Sequence, residues 1–388
     1  MKNILFVGMY PDEYNKYRNV FFRNLIFAMA DAGLNCTVIS PVPANKYGKG
    51  IDLVSRERID TTLRGNRIRV THPRYISLSN KKIGPINTGY LSEKTFQVAA
   101  LKAAKRLKEK LDVVYGHFIL AGGLSAVQIG RSKNIPSFLA FGECNYDTEI
   151  EQIYGEIKRR DIEGLSGIIA VSTNNSNVLK QKKAFDNIPV LIAPNSVDTG
   201  LFFKQDKNQC REKLGLPLDK FIVGFVGGFI ERKGDKRLLS AVESLDDVYV
   251  AFAGRGEAPP TGEKVLFCKS LEHDDIPVFL NAIDVFCLPT QNEGSCNAIV
   301  EAASCGVPVI SSDLPFNDDL LNDNNSIRIN PNSVEEIRGA IQKIHRDEQY
   351  RMLLGERILR DAQGFTIENR CKKISDFISG VITRGNGV

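Results

Sequence analysis

A chain of 388 residues, 43% of them hydrophobic and 25% charged, is too long for one comfortable core and fits two domains of roughly 150–200 residues each. No apolar run approaches the roughly 18–20 residues that span a bilayer, and the opening MKNILFVGMY runs straight into Pro11, Asp12 and Glu13, without the longer apolar region and cleavage site of a signal peptide. The eight cysteines include no C-x-x-C pair, which argues against a disulfide framework or a zinc site, so a cytoplasmic protein with reduced thiols is expected.

The net charge of +5 conceals an asymmetry: residues 1–198 carry 28 Lys and Arg against 18 Asp and Glu, the remainder 23 against 28. A basic first half suits an anionic partner (a phosphorylated acceptor, an acidic glycan or an anionic membrane face) or is simply a solvated surface. No nucleic-acid partner is expected.

In chain order, short apolar strands alternate with helical stretches. The first half offers strands at Ile4–Met9, Cys36–Ser40, Ile68–His72, Val113–Phe118, Ser137–Phe141, Gly167–Ser172 and Val190–Ala193. Helices are expected at Val20–Ala32, Ser92–Lys110, Leu120–Lys133 and Asn174–Lys183. Pro194, Asn195 and the segment through Phe203 break the rhythm, which places a domain boundary near residue 199. The second half repeats it, with strands at Phe221–Val226, Tyr249–Ala253, Val265–Cys268, Val285–Leu288 and Val307–Ser311. Its helices are Asp235–Leu245, Asp274–Asn281, Ala298–Ser304, Val334–Arg346 and Tyr350–Ala362. The apolar spacing of Ile367, Ile374, Phe377 and Ile378 suits a terminal docking helix, 366–388, returning to the first domain. Continuous apolar strands between helices mean parallel sheets covered on both faces. The predicted fold is therefore α/β: two doubly wound, Rossmann-like domains, 1–198 and 199–365, facing across a cleft with ligands at the strands' carboxyl ends.

The segment LPTQNEGSCNAIVEAASCGVPV, from Leu288 to Val309, reads as strand, loop and helix. In one helix Glu293 and Glu301 would sit about 12 Å apart along the axis. With Glu293 in the loop and Glu301 inside the helix, they can grip two parts of one long ligand, or the segment is a capped strand–turn–helix with a solvated Glu. Gly294 admits close backbone approach, and a helix N-terminus favours an anion such as a diphosphate. FVGGFIERKG, from Phe225, places Arg232 and Lys233 after a glycine-containing strand end, where paired cations hold phosphate oxygens or form a basic surface turn. Of four histidines, His72, His273 and His345 read as structural, and His117, at a strand's carboxyl end, as a site residue or a satisfied buried histidine.

The second half resembles the retaining glycosyltransferases of family 4, which have the GT-B architecture. The resemblance rests on VGGFIERKG, AFAGRGE, LEHDDIPVFLNAIDVFCLPTQNEGSCNAIVEAASCGVPVISSD and NDDLL, in matching order over about 170 residues. It implies that Lys233 and Arg232 bind the donor diphosphate, Glu293 contacts the transferred sugar and Glu301 holds the ribose. Gly294, Ser295 and Cys296 would face sugar and phosphate, and Ser270 and Leu271 the base. In the first half, DVVYGHFILAGGLSA resembles the family's strand-end histidine and Gly-containing helix start, which would place His117 beside the reacting sugar, so the resemblance implies Glu293, His117 and Lys233 as the catalytic residues. LIAPNSVDTGLF resembles the interdomain stretch, with Ser196 in a glycine's place, and MYPDEYNKYRNVFFRNLIFAMADAG the acceptor-side loop and helix.

Three positions depart from the family. Gly228, within the donor site, stands where an arginine is usual, leaving Arg232 to supply that charge. Phe141-Gly142 replaces His-Gly, and Asn19 replaces a glycine. The implied activity moves a sugar, with retention, from a UDP- or GDP-sugar to a glycan or lipid-linked acceptor, in bacterial surface polysaccharide synthesis. The enzyme would work in the cytoplasm or peripherally on the inner membrane face. No D-x-D triplet follows a strand, so neither metal nor cofactor is expected. A sugar-nucleotide epimerase and a catalytically silent sugar-nucleotide-binding partner are the alternatives. A two-carboxylate hydrolase needs no phosphate-binding cations, and a dinucleotide dehydrogenase needs a G-x-G-x-x-G that is missing after the first strand.

Overall fold

The computed structural model describes residues 1–16, 18–84 and 86–385. Tyr17, in the loop likened to an acceptor side, and residues 386–388, the end of the expected terminal helix, lie outside the described residues. Residues 1–194 with the segment from Arg370 onward form one unit, and residues 195–369 a second.

The first unit is an eight-stranded sheet. Its elements are β1 (Asn3–Val7), α1 (Val20–Asp31), β2 (Asn35–Ile39), β3 (Glu57–Thr61), β4 (Arg67–Thr71), α2 (Thr88–Arg106), β5 (Val113–His117), α3 (Leu124–Lys133), β6 (Ser137–Phe141), β7 (Leu165–Ala170), α4 (Thr173–Lys180) and β8 (Val190–Ile192). The strand order is β8-β7-β6-β5-β1-β2-β4-β3. All pairs are parallel except β3 with β4. The central strands are buried on both faces, which is why they read as unbroken apolar runs. The edge strand β3, ERIDT, is half exposed and charged, so it gives no such signal.

Two helix starts differ from expectation for local reasons. The Asn87 side chain accepts from Gly89 N at 2.8 Å and begins α2 at Thr88, four residues before Ser92. The expected start of α3 at Leu120 fails because Ala121 has φ 55° and ψ −85°, so the helix begins only at Leu124.

The second unit holds α5 (Lys207–Leu214), β9 (Phe221–Gly228), α6 (Asp235–Glu243), β10 (Val248–Arg255), β11 (Val265–Lys269), α7 (Ile276–Ala282), β12 (Val285–Leu288), α8 (Asn297–Ser304), β13 (Val309–Ser312), β14 (Ser326–Ile329), α9 (Val334–Arg346) and α10 (Glu348–Ala362). The six strands run parallel in the order β11-β10-β9-β12-β13-β14. One continuous core of Ile, Val, Phe and Ala lies against both faces. The polar α5 escapes an apolar-periodicity reading; Asp206 caps it and Gly215, at φ 69°, ends it. Its Arg211, 1% exposed, reaches Asp284 at 2.6 Å, and Asp284 also accepts from Ile222 N at 2.7 Å. That buried pair joins α5 to the feet of β9 and β12.

The last helix, α11 (Ile367–Gly385), buries Cys371, Ile374 and Ile378, and its Phe377 ring lies 6.0 Å from Phe138 of β6.

Candidate active site

In a doubly wound sheet the chain winds outward in both directions from one point, and the loops beyond the strands there diverge to leave a crevice. In the second unit this switch point lies between β9 and β12. The turn after β9 carries Arg232 and Lys233, and the loop after β12 carries Glu293, so strand order converts 60 residues of separation into contact. Lys233 Nζ lies 2.5 Å from Glu293 Oε1 and Arg232 Nη1 2.9 Å from the same oxygen. Thr290 Oγ1 donates to it at 2.9 Å. Arg232 Nη1 also donates to Asn292 O, and Gln291 N donates to Arg232 O at 2.8 Å, so the two loops are bonded to each other.

Glycine is required at one point of this joint. Gly234 has φ 81°, and a Cβ there would stand 2.6 Å from Pro289 O. Only a residue without a side chain lets the turn after Lys233 reach the end of β12.

Electrostatics keep the joint charged. Burial by itself would lower the Lys233 ammonium, but neighbouring Cys296 and Glu293 outweigh it and hold the pKa above its ordinary value. The Cys296 thiol is itself pushed up to about 12 by burial, so it carries no charge at neutral pH, and the ion pair of Lys233 is with Glu293. Glu293 is 8% exposed. Two cations meet on one carboxylate in a largely buried place, an arrangement that suits a polyanion.

Around this centre, Gly294 is buried and Ser295 partly so, and α8 starts after Cys296 with no side-chain oxygen capping it. Glu301 stands one turn into α8, pointing to a separate position where His273 Nε2 lies 3.5 Å from its Oε1. Ser270 is exposed and Leu271 partly buried just past the end of β11. Gly228 closes β9, and a Cβ there would meet only Arg255 O, at 3.8 Å, so the position has room beyond the strand end.

Three residues here escaped the sequence reading. Thr290 is fully buried beneath Glu293. Asn195 is 6% exposed; its N donates to Ser295 Oγ and its Nδ2 to Ser295 O, both at 3.0 Å, which clamps the Gly294–Ser295 turn. His273, read from the sequence as structural, is the partner of Glu301. A polar residue at a strand end was the available signal for Thr290; nothing local marks the other two.

His117 ends β5 at the switch point of the first sheet, where β5 and β1 adjoin. It is 2% exposed, with its ring stacked 4.3 Å from Phe22 and flanked by Phe21 and Phe118. Burial first, and the positive Arg370 second, hold its pKa down to about 3, so the imidazole is neutral at physiological pH. The turn that follows, with Phe118 at φ 67° and Ala121 at φ 55°, is held by two carboxyl groups. Glu143 Oε1 accepts from Ile119 N at 2.6 Å, and Glu93 Oε2 from Ala121 N at 2.5 Å. Asn19, in a glycine's place, keeps the left-handed conformation at φ 48° and ψ 45°, which Asn tolerates better than most residues, and donates to Met9 O at 2.9 Å.

Residues 206–360, less than half of the chain, match the profile of the family described as Glycosyl transferases group 1. Over 356 residues the chain is 25% identical to TuaC of Bacillus subtilis, assigned as a teichuronic acid biosynthesis glycosyltransferase, with 90% of each chain covered. Over 304 residues it is 25% identical to the UDP-Gal:alpha-D-GlcNAc-diphosphoundecaprenol alpha-1,3-galactosyltransferase of Escherichia coli, covering 71% of this chain and 78% of that protein. Among solved structures it is similar to sucrose-phosphate synthase from Thermosynechococcus elongatus, with a TM-score of 0.79 at 18% identity over 99% of this chain and 100% of that one. The fold is GT-B, and the chain is an enzyme of the glycosyltransferase class.

Proposed function

We propose that this enzyme moves a sugar from a nucleotide-diphosphate donor, a UDP-sugar in the first instance, to a lipid-linked or glycan acceptor in cell-surface polysaccharide assembly, with retention at the anomeric carbon. The observation that carries the reading is the meeting of Arg232 and Lys233 on Glu293 at the switch point of the second sheet. The relatives in teichuronic acid synthesis and in galactosyl transfer to a diphosphoundecaprenol acceptor support the acceptor class and the choice of UDP.

In this proposal the donor diphosphate takes the two cations from Glu293. As the bond between anomeric carbon and phosphate oxygen breaks, charge gathers on the departing diphosphate, and Arg232, Lys233 and the first N–H groups of α8 stabilise it there. Such fixed donors need no reorganisation at the moment of reaction. The carboxylate of Glu293, released from the cations, turns to the hydroxyls of the transferred sugar. Glu301 holds the ribose, and Ser270 and Leu271 lie along the base. The acceptor hydroxyl attacks the anomeric carbon from the face the diphosphate leaves, and its proton passes to the departing phosphate oxygen. No divalent metal is assigned a part, so activity in EDTA should match activity in magnesium.

The test is incubation of the purified chain with UDP- and GDP-sugars, with and without a lipid diphosphate acceptor carrying a sugar. Acceptor-dependent UDP release with the new linkage in the α configuration supports the proposal when the donor is an α-linked sugar nucleotide. Epimerisation of donor without acceptor, or nucleotide binding with no transfer to any acceptor, would overturn it.

A further inference from the structure

We propose that the outer face of α2, with the segment laid beside it, is a docking surface for an anionic lipid bilayer; only the purpose of docking, access to a lipid-linked acceptor, rests on the function proposed above. The segment from Ile76 to Lys81 runs antiparallel along the first two turns of α2. Thr95 Oγ1 donates to Ile76 O, Leu78 N donates to Ser92 Oγ at 2.7 Å, and Lys81 N to Thr88 Oγ1 at 3.0 Å. Beyond it, Lys82–Ile83 pairs antiparallel with Ile86–Asn87.

With its backbone tied to the helix, this strap holds Ile76, Leu78 and Ile83 outward, at 50%, 37% and 66% exposed. On α2, Leu91 and Val98 lie seven residues apart, hence on one face, and are 44% and 49% exposed, while Phe96, Ala99, Ala100, Ala103 and Ala104 fill the core side. Single exposed apolar side chains are ordinary; five on one strap and one helix face make a patch that asks for a partner.

The surrounding charge says which partner. Lys81 and Lys82 are exposed beside Ile83, and Lys102, one turn past Val98, and Lys105 continue the same helix face. From Arg74 to Lys108 there are eight Lys and Arg against one acid, Glu93, and that carboxyl faces inward onto Ala121 N. Cations around apolar side chains match the boundary of an anionic leaflet, where acyl chains accept Ile and Leu without a shaped pocket. A nucleic acid would satisfy the lysines and leave the apolar side chains in water. Among the described residues no helix is long and apolar enough to cross a membrane.

The whole chain is to be sedimented with vesicles of phosphatidylcholine alone and of phosphatidylcholine with about a quarter phosphatidylglycerol, at physiological salt. Two double variants are compared, Ile83→Glu with Leu91→Glu, and Lys81→Glu with Lys82→Glu; all four positions are exposed, and circular dichroism checks the fold. Each cation near an anionic leaflet contributes roughly fivefold in partitioning, so either pair should lower binding at least tenfold. Binding to anionic vesicles alone, lost in both variants with UDP affinity unchanged, supports the proposal. Absence of binding in the parent chain overturns it. So does full binding by the Ile83 and Leu91 variant, which would leave a purely ionic site for an acidic glycan. UDP affinity is read separately, so the transferase reading stands or falls on its own.

Discussion

Replacing Lys233 with alanine separates catalysis from stability at the β9–β12 joint. In the resting chain the ammonium lies 2.5 Å from Glu293 Oε1 with its side chain 16% exposed. The carboxylate keeps Arg232 and Thr290, each at 2.9 Å, so it is not left an uncompensated buried charge. The expected stability loss is therefore about 1–2 kcal/mol, not the roughly 3–5 kcal/mol of an orphaned ion. For a unit of this size that lowers Tm by about 2–8 °C. In the proposed transition state the loss would be larger, because one of two cations facing the leaving diphosphate would disappear. Removing one such preorganised donor costs about a hundredfold to a thousandfold in kcat. Initial rates of nucleotide release at saturating donor, beside a thermal melt, measure both. Lys233→Ala turnover within threefold of the parent, in a folded protein, would refute the placement of the leaving group at this lysine.

His273→Ala should raise KM for the donor severalfold with little change in kcat, since Glu301 would hold the ribose equally in ground and transition states; an unchanged KM would detach His273 from the donor. Asp284→Ala should destabilise the second unit by about 3–5 kcal/mol in urea titration, because Arg211, 1% exposed, loses its 2.6 Å partner. In the first unit, burial raises the Glu143 carboxyl from an ordinary 4.5 to about 8. The folded state therefore keeps a proton there that the unfolded chain has released. The stabilisation is complete below about pH 4.5 and fades as pH rises through about 8, at most about 1.4 kcal/mol per pH unit. Glu143→Gln should flatten that alkaline decline, and parallel curves for the two proteins would contradict the assignment.

Much of the fold was legible because parallel strands buried on both faces are continuous apolar runs, as in ILFV of β1 and VFCL of β12. The elements that escaped are those whose burial is paid for by polar contacts, such as α5, tied down through Arg211, or those half exposed, such as β3. The turn after His117 was misread as helix because Leu120 and Ala121 are good helix formers; the bonds from Ile119 N and Ala121 N to Glu143 and Glu93 hold the backbone elsewhere. At the site, the strand–loop–helix around Glu293 could be read locally. The ion pair from Lys233 to Glu293 could not, because it depends on β9 and β12 being neighbours in the sheet. The same limit hid Asn195, whose clamp on Ser295 spans 100 residues of chain.

A crystal structure of the chain with UDP tests the central claim most directly. The account predicts the β-phosphate within about 3 Å of Lys233 Nζ, with Arg232 beside it, the ribose on Glu301 and Glu293 Oε1 released from the two cations. UDP bound elsewhere, or bound with Lys233 still 2.5 Å from Glu293, would contradict it.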